Sequence, residues 1–301
     1  MVPPAASAGV SRPTSQCNQA PGELASAGPR VGVAGRDASL HAGADGRDAP
    51  CRRDLRPGQR ARATTAAVAL TDYEKYIRTE ELLALQKSPA QVICPDELQF
   101  QIVHQASELW MKLIAHELGQ FAGFVGGDEL AMAQRAMVRV AMMQRLLLSQ
   151  VDLLDTLTPV DYMTIRTVLG RGSGQESPGF KTMLRLPAET VWPAFASLLA
   201  RRGATLRQIY ENQRAHPELH ALCESLVDYD QLLQTWRQRH LMLVYRIIGT
   251  GTPSLKGKPS DLLAHGMKTR FFPELWDVRD ALFGDWTAQM AAKGKEPGYH
   301  G

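Results

Sequence analysis

The sequence predicts an all-α fold that follows a disordered amino-terminal tail. From residue 70 onward, apolar side chains recur at helical spacing, while runs with strand-like alternation are scarce. Residues 1–69 are instead rich in Ala, Gly, Arg, Ser and Pro and contain almost no aromatic or long aliphatic side chains. Such a segment cannot bury enough apolar surface to offset the entropy lost on ordering. We therefore expect a low-complexity tail at 1–69 and one helical domain at 70–301.

Charge and composition exclude several classes of protein. Of the 34 Lys and Arg and the 31 Asp and Glu, nine and five lie in residues 1–69, which leaves 25 and 26 in the rest. No basic face remains for nucleic acid, and no run approaches the roughly 20 apolar residues of a membrane helix. The tail lacks the apolar region of a secretory signal, and the four cysteines show no zinc or haem-attachment spacing. We expect a cytoplasmic protein that binds neither nucleic acid nor membrane.

Three long periodic stretches open the helical domain. Residues 72–86 have apolar positions close to the helical period. Pro95 and Asp96 then start an amphipathic helix that ends at the glycines of residues 123–127. Its predicted apolar stripe consists of Leu98, Ile102, Ala106, Leu109, Leu113 and Leu118. Residues 129–157 are so rich in Met, Leu, Val and Ala that they predict a heavily buried helix.

Local start and stop signals predict the remaining helices. Thr158-Pro159-Val160-Asp161 offers a capping hydroxyl, a proline at the first helical position and an acid at the third, and this helix ends in the glycine-rich residues 170–179. Further helices are expected at about 188–200, 205–214 and 217–248, the last ending at Gly249. A Gly- and Pro-containing loop at 250–260 precedes the motif FFPELW (271–276), in which a proline-initiated helix is expected to dock on the core through its aromatic side chains.

His240 is a candidate metal ligand. It shares a helix face with Trp236, Leu243, Val244 and Ile247, so its imidazole should point into an apolar interior. A hydrogen-bonded core histidine would explain this pattern. For a histidine taken alone this is the commoner explanation, but a neutral imidazole on a rigid apolar face is also what an axial haem ligand requires.

Two further pairs carry chemically useful groups. His104 follows Phe100 by one helical turn, so an imidazole and an aromatic ring share a face. Tyr162 and Arg166 are also one turn apart, and the planar guanidinium of Arg166 matches a carboxylate in two hydrogen bonds. Taken singly, an incidental packed histidine and a surface ion pair are adequate alternatives.

Several of these stretches together resemble the tryptophan 2,3-dioxygenase family, in order and spacing, from Leu70 to about Leu282. The matching segments are YEKYI (73–77) with LLALQ (82–86), the run from Asp96 to Trp110, TPVDY (158–162) with Arg166, Ser173-Gly174, WRQRH (236–240) and FPELW (272–276). The resemblance implies an α-helical homotetramer that binds one haem b per subunit and uses O2 to oxidise tryptophan or a close derivative such as β-methyltryptophan.

The resemblance also implies roles for individual residues. By position, His240 looks like the proximal iron ligand and His104 like the distal histidine that contacts the indole nitrogen. Arg166 matches an arginine that binds the substrate carboxylate. Phe100 and Tyr162 match residues of the indole pocket, and Ser173 matches a serine near the haem. Tyr73, Tyr76 and Ile77 match residues that each subunit contributes to the pocket of a neighbouring subunit.

Three departures from the family pattern bear on the reaction. The family's Ser-Gly-Phe-Gln-Ser is Ser173-Gly174-Gln175-Glu176-Ser177 here, and the tyrosine expected after His-Gln-Ala is Ser107. The family's Gly-Thr-Gly-Gly-Ser loop corresponds to residues 250–260, where prolines and lysines replace small residues and Ser254 stands opposite the threonine. Loops that close over a site influence which substrate fits and how it reacts.

The altered loop resembles a branch of the superfamily that works in bacterial natural-product pathways. That branch inserts one oxygen atom to form a 2-oxindole and needs an external reductant such as ascorbate. The sequence therefore favours mono-oxygenation at indole C2, with ring opening to N-formylkynurenine as the alternative. A haem-binding sensor or scaffold without catalytic activity is the alternative of another class, although it would have no reason to keep Phe100, His104, Tyr162 and Arg166 together.

Overall fold

The computed structural model describes residues 69–170, 172, 174–251, 266 and 269–294, without the side chain of Gln175. Within these ranges every regular element is a helix or a helical turn, so the predicted all-α class is confirmed. The predicted tail at 1–69, apart from its last residue, lies outside the described residues. None of the described helices combines the length and the hydropathy that a membrane crossing requires.

The predicted helix at 72–86 is two short helices. α1 (Asp72–Ile77) begins at a capping box in which the Thr71 side chain accepts from Glu74 N, and α2 (Thr79–Leu83) follows directly. Arg78 interrupts them because its φ of 58° is left-handed, a conformation that a continuing right-handed helix cannot contain. Neither helix buries a residue.

Three long helices form the body of the domain. α3 (Glu97–Gly126) and α4 (Leu130–Leu154) are joined by a three-residue turn and pack along each other as a helical hairpin, and α4 packs in turn on α9 (Pro217–Ile248). The buried stripe of α3 includes Ile114, Leu118, Phe121 and Val125, each fully buried.

The predicted stripe of α3 was wrong for three of its six members. Ile102, Leu109 and Leu113 are 46%, 52% and 41% exposed, whereas Leu118 is fully buried as predicted. Periodicity could not choose between two adjacent apolar faces of α3, because the choice depends on where α4 and α6 pack.

Shorter helices pack against this body, mainly on α3. α5 (Pro159–Val168) begins where predicted, with Thr158 Oγ1 accepting from Asp161 N. A 3-10 turn at Gly174–Glu176 leads into α6 (Pro178–Leu186), a helix that the sequence did not predict because glycines surround its start. α6 continues through a π-helical turn at Pro187–Val191 into α7 (Trp192–Arg202).

The carboxyl-terminal part docks onto α9. α8 (Leu206–Glu211) is shorter than the predicted 205–214, and α9 ends at Ile248 with Gly249 at a φ of 78°, as predicted. α10 (Pro273–Ala292) starts at the FFPELW motif, where Phe272 and Leu275 are fully buried. Asp230 of α9 accepts hydrogen bonds from Phe271 N at 3.0 Å and Trp276 Nε1 at 2.9 Å. The predicted docking of this motif on the core is confirmed.

Candidate active site

His240 lies on α9 with its imidazole in an aromatic and apolar environment. The ring stacks on Trp236, with centroids 5.2 Å and planes 9° apart, and Trp236 contacts Phe180 of α6 with centroids 5.2 Å apart. Burial, assisted by repulsion from His104, lowers the pKa of His240 to about 4. The imidazole is therefore neutral at pH 7 and keeps a lone pair with which it can bind a metal.

His104 presents a hydrogen-bond acceptor. Its Nδ1 lies 2.7 Å from the carbonyl oxygen of Phe100, and since a carbonyl oxygen can only accept, Nδ1 carries the proton and Nε2 the lone pair. The side chain keeps solvent-accessible surface because it borders an open cavity. Burial by the surrounding protein nevertheless lowers the pKa of His104, against the opposing effects of the Phe100 carbonyl and Glu108.

Both histidines line the same cavity, which has a volume of about 400 Å³. Four helices, α3, α4, α6 and α9, form its walls. Much of the lining is apolar, and includes Val103, Leu147, Val151, Leu154, Phe180 and Trp236. Concave apolar sites of this size, with a few polar groups, are typical of bound cofactors and small substrates.

Phe100 and Tyr162 link His104 to Arg166. The ring centroid of Phe100 is 4.1 Å from that of His104 and 6.1 Å from that of Tyr162. Burial raises the pKa of Tyr162, while Arg166 opposes this shift, so the guanidinium lies within electrostatic reach of the phenol. Phe100, Tyr162 and Arg166 are not part of the cavity lining itself.

Glu108 connects the cavity wall of α3 to the start of α6. One carboxylate oxygen accepts from Ser177 Oγ and the other from Gly179 N at 3.0 Å. Ser177 Oγ also caps α6 by accepting from Phe180 N at 3.0 Å. These bonds hold Phe180 in place against Trp236, so Glu108 closes one side of the cavity.

Arg237 also lines the cavity, three residues before His240. Its guanidinium lies 5.3 Å from the centre of the Phe271 ring and donates to the carbonyl of Gly266. Burial lowers the pKa of Arg237, with Asp230 and Tyr229 opposing. The sequence interpretation missed Arg237 and Glu108, although each lies one helical turn from a predicted histidine and so shares a face with it.

The structure brings together five of the predicted site residues. His104 and His240 share the cavity. Phe100 contacts His104, Tyr162 contacts Phe100, and Arg166 lies within electrostatic reach of Tyr162. Ser107, which stands where the family pattern has a tyrosine, lies in the cavity wall. Its Oγ is 2.6 Å from Gln150 Oε1. Ser173 and Ser254 lie outside the described residues.

Three other predicted residues do not join the site within one chain. Tyr73, Tyr76 and Ile77 are 70%, 89% and 40% exposed on α1. Their predicted role in a neighbouring subunit stays a prediction.

Comparison with known proteins decides the family. A model of the family described as tryptophan 2,3-dioxygenase matches residues 59–186 and 195–282, which include all of α1 to α6, α8 and α9. The chain belongs to the tryptophan 2,3-dioxygenase family. The resemblance inferred from its motifs is therefore confirmed.

Curated relatives agree with the family model. The tryptophan 2,3-dioxygenase of Myxococcus xanthus (strain DK1622) is 34% identical over 282 residues, which cover 77% of this chain and 95% of the relative. That of Xanthomonas oryzae pv. oryzae (strain PXO99A) is 33% identical over 281 residues, with 76% and 93% covered. That of Caulobacter vibrioides is 30% identical over 260 residues, with 70% and 98% covered.

Family membership makes the chain an enzyme, an oxidoreductase of the tryptophan dioxygenase type. The alternative of a sensor or scaffold without catalytic activity is thereby disfavoured. The names of the relatives also support ring-opening dioxygenation better than the mono-oxygenation that the loop pattern favoured. None of these three relatives is named as an enzyme of a natural-product pathway.

Proposed function

We propose that this chain is a haem-dependent tryptophan 2,3-dioxygenase that inserts both atoms of O2 into L-tryptophan. The C2–C3 bond of the indole is cleaved and N-formylkynurenine is formed. One observation carries the proposal: the neutral imidazole of His240 and the hydrogen-bond acceptor Nε2 of His104 belong to two walls, α9 and α3, of one largely apolar cavity.

The residues around the cavity suit haem better than a bare metal ion. Within the described ranges, no group of three or more His, Cys, Asp or Glu is arranged to hold an ion, whereas a protein-bound zinc ion takes three or four such ligands. Haem brings most of the ligands of its own iron and would need only one from the protein. His240 would supply that ligand, and Arg237 would pair with a cofactor carboxylate. Haem bound there supplies the activation of O2.

The chain itself orients the substrate. His104 Nε2 accepts a hydrogen bond from the indole N–H, with the proton of His104 held at Nδ1 by the Phe100 carbonyl. Arg166 binds the substrate carboxylate through two hydrogen bonds, while Phe100 and Tyr162 contact the indole. By the family resemblance, Ser173 would offer a hydroxyl group to the haem side of the site and Ser254 one to the amino acid. Orientation of this kind is worth several kcal/mol of the activation barrier.

The proposal includes a homotetramer in which each chain completes a neighbour's pocket. Tyr73 and Tyr76 are 70% and 89% exposed, and α1 and α2 bury no residue within their own chain. Exposed aromatic side chains on helices without a core of their own are typical of surfaces that another chain covers. With Ile77, these residues are the ones we assign to the neighbouring pocket.

A second candidate function is insertion of one oxygen atom at C2 of tryptophan or β-methyltryptophan. The departures at Gln175, Ser107 and loop residues 250–260 favour it, because the family resemblance assigns these positions to the surroundings of the substrate. The other oxygen atom then leaves as water, which requires two electrons and two protons. An external reductant such as ascorbate would have to supply the electrons.

Product analysis distinguishes the two functions. The chain reconstituted with hemin is incubated with L-tryptophan or β-methyltryptophan under isotopically labelled O2, with and without ascorbate. Two labelled oxygen atoms per product support the dioxygenase. One labelled atom, with ascorbate consumed in equal amount, supports the mono-oxygenase. The absence of any oxygenated product contradicts both.

A further inference from the structure

The starts of α3 and α5 exchange hydrogen bonds through two aspartates. Asp96 Oδ2 accepts from Thr158 N at 2.9 Å, and Asp161 Oδ2 accepts from Asp96 N at 3.3 Å. Thr158 Oγ1 completes the arrangement by accepting from Asp161 N at 3.1 Å. Asp96 is the N-cap residue of α3, yet its side chain makes no capping bond to that helix. It joins α3 to a helix that begins about 60 residues later in the chain.

These two helices carry the two halves of the proposed substrate site. Phe100 and His104 lie in the first two turns of α3, and Tyr162 and Arg166 lie in the first two turns of α5. The two halves also touch through the rings of Phe100 and Tyr162, whose centroids are 6.1 Å apart. Ring contacts tolerate sliding, whereas N–H···O bonds are directional and restrict both distance and rotation.

Charge strengthens these hydrogen bonds between Asp96, Thr158 and Asp161, which together form a junction between α3 and α5. Both carboxylates lie at helix amino termini, where the aligned peptide dipoles favour negative charge. A hydrogen bond from a backbone N–H to a carboxylate is also stronger than one between neutral groups. The junction is therefore a stiff link between the helices, while the apolar contacts around it are adaptable.

We propose that Asp96 and Asp161 are positioning residues that set the spacing between the His104 imidazole and the Arg166 guanidinium. That spacing selects ligands that carry an indole N–H and a carboxylate as far apart as in L-tryptophan. This inference rests on the proposed function, because it takes Arg166 as the group that binds the carboxylate.

The inference is tested by measuring ligand binding to the haem-loaded protein. The change in the haem absorption spectrum reports the binding. The ligands are L-tryptophan and tryptamine, which has the indole but no carboxylate. Asp96→Ala should weaken L-tryptophan binding about tenfold, as expected for a misplaced binding group, and tryptamine binding by less than about twofold. Asp96→Asn should restore most of the affinity, because its amide oxygen can still accept from Thr158 N.

Three further variants make the outcome decisive. Asp128→Ala breaks an ion pair with Arg202 near the far end of α3 and should leave both affinities unchanged. Asp161→Ala removes the other half of the junction and should repeat the effect of Asp96→Ala. Adding Asp96→Ala to Arg166→Ala should cause no further loss of L-tryptophan affinity, because the carboxylate partner is already gone.

Each contrary result has one meaning. If Arg166→Ala leaves the preference for L-tryptophan over tryptamine intact, the carboxylate-binding role in the proposed function is wrong. If Arg166→Ala abolishes that preference while the Ala variants at Asp96 and Asp161 keep it, only the positioning role is overturned. If the Ala variants at Asp96 and Asp161 lose affinity equally for both ligands, or if both fail to take up haem, the two aspartates have a structural role. Either result would overturn the positioning role as well.

Discussion

His104 and His240 carry the same side chain, but their surroundings give them different properties. His240 is stacked on Trp236 in an apolar interior, and its depressed pKa keeps the imidazole neutral and available to a metal. His104 has its Nδ1 proton directed at the Phe100 carbonyl, so the remaining nitrogen can only accept. The tautomer and charge of each ring therefore follow from its neighbours.

Replacing His240 with Ala should abolish stable haem incorporation, because the described part of the cavity offers no second imidazole on α9. The measurement is the Soret absorbance per chain after reconstitution with hemin. His220→Ala is the matched control on the same helix, since His220 contacts Tyr210 away from the cavity. A normal Soret band in the His240 variant would contradict the assignment of His240 as the iron ligand.

The lowered pKa of His104 predicts a pH dependence on the acid side. Protonation of Nε2 removes the acceptor for the indole N–H, so kcat/KM for L-tryptophan should fall as the pH drops through that pKa. Because burial lowers the pKa from its ordinary value of 6.5, the fall should be centred below pH 6.5. In His104→Ala this limb should be absent and the activity about tenfold lower. A limb centred above pH 6.5 would contradict the assignment.

At the scale of elements, the contact between α3 and α6 decides the shape of the cavity. Gly179 lies so close to α3 that an added Cβ would stand 2.7 Å from Met111 Cβ and 2.7 Å from a carboxylate oxygen of Glu108. The Ser177–Glu108 bond also depends on this approach. A glycine is therefore required at the first turn of α6 for steric reasons.

Gly179→Ala should push α6 away from α3 and lower the free energy of unfolding by about 1–3 kcal/mol, as overpacking commonly does. Gly119→Ala is the matched control, because nothing lies within 4 Å of an added Cβ there. That substitution should be neutral or stabilise α3 by up to about 1 kcal/mol, since alanine favours a helix interior. Urea denaturation of both variants measures the difference, and equal effects would show that the close contact is unimportant.

At the scale of the whole molecule, one chain leaves apolar surface uncovered. α1 and α2 bury nothing, and Ile102, Leu109 and Leu113 of α3 are between 41% and 52% exposed. Patches of this kind on a folded domain indicate contact with another chain. The proposed tetramer accounts for them, and it makes the pocket depend on two subunits.

Complementation between two inactive variants tests this dependence. The double variant Tyr73→Ala/Tyr76→Ala keeps His240 but supplies a defective α1, while His240→Ala lacks haem but keeps an intact α1. Co-expressed, they should form mixed oligomers with more activity than either alone, because α1 of the second serves the cavity of the first. Light scattering verifies that the co-expressed chains form oligomers. If the activity of these oligomers does not rise, the whole site lies within one chain.

Much of the fold was predictable because helix boundaries depend on neighbouring residues. Thr158 and Pro159 start α5 as predicted, and Gly249 ends α9 as predicted. Both signals act within one helical turn. The break at Arg78 was missed because no strong local signal marks that position. The start of α6 was missed although Ser177 and Pro178 repeat the capping hydroxyl and the proline that start α5, because the surrounding glycines favoured a loop.

The amino-acid sequence by itself determined the helical class, most helix boundaries, and which residues bear an imidazole, a guanidinium or an aromatic ring at helical spacing. Only the tertiary structure decided that His104 and His240 share a cavity, that Glu108 holds α6, and that Asp96 accepts from Thr158 N at the start of α5 instead of capping its own helix. The physical reason is distance along the chain. Hydrogen bonds within a helix join residues four apart, so spacing reveals them, whereas these contacts join residues about 60 to 140 positions apart.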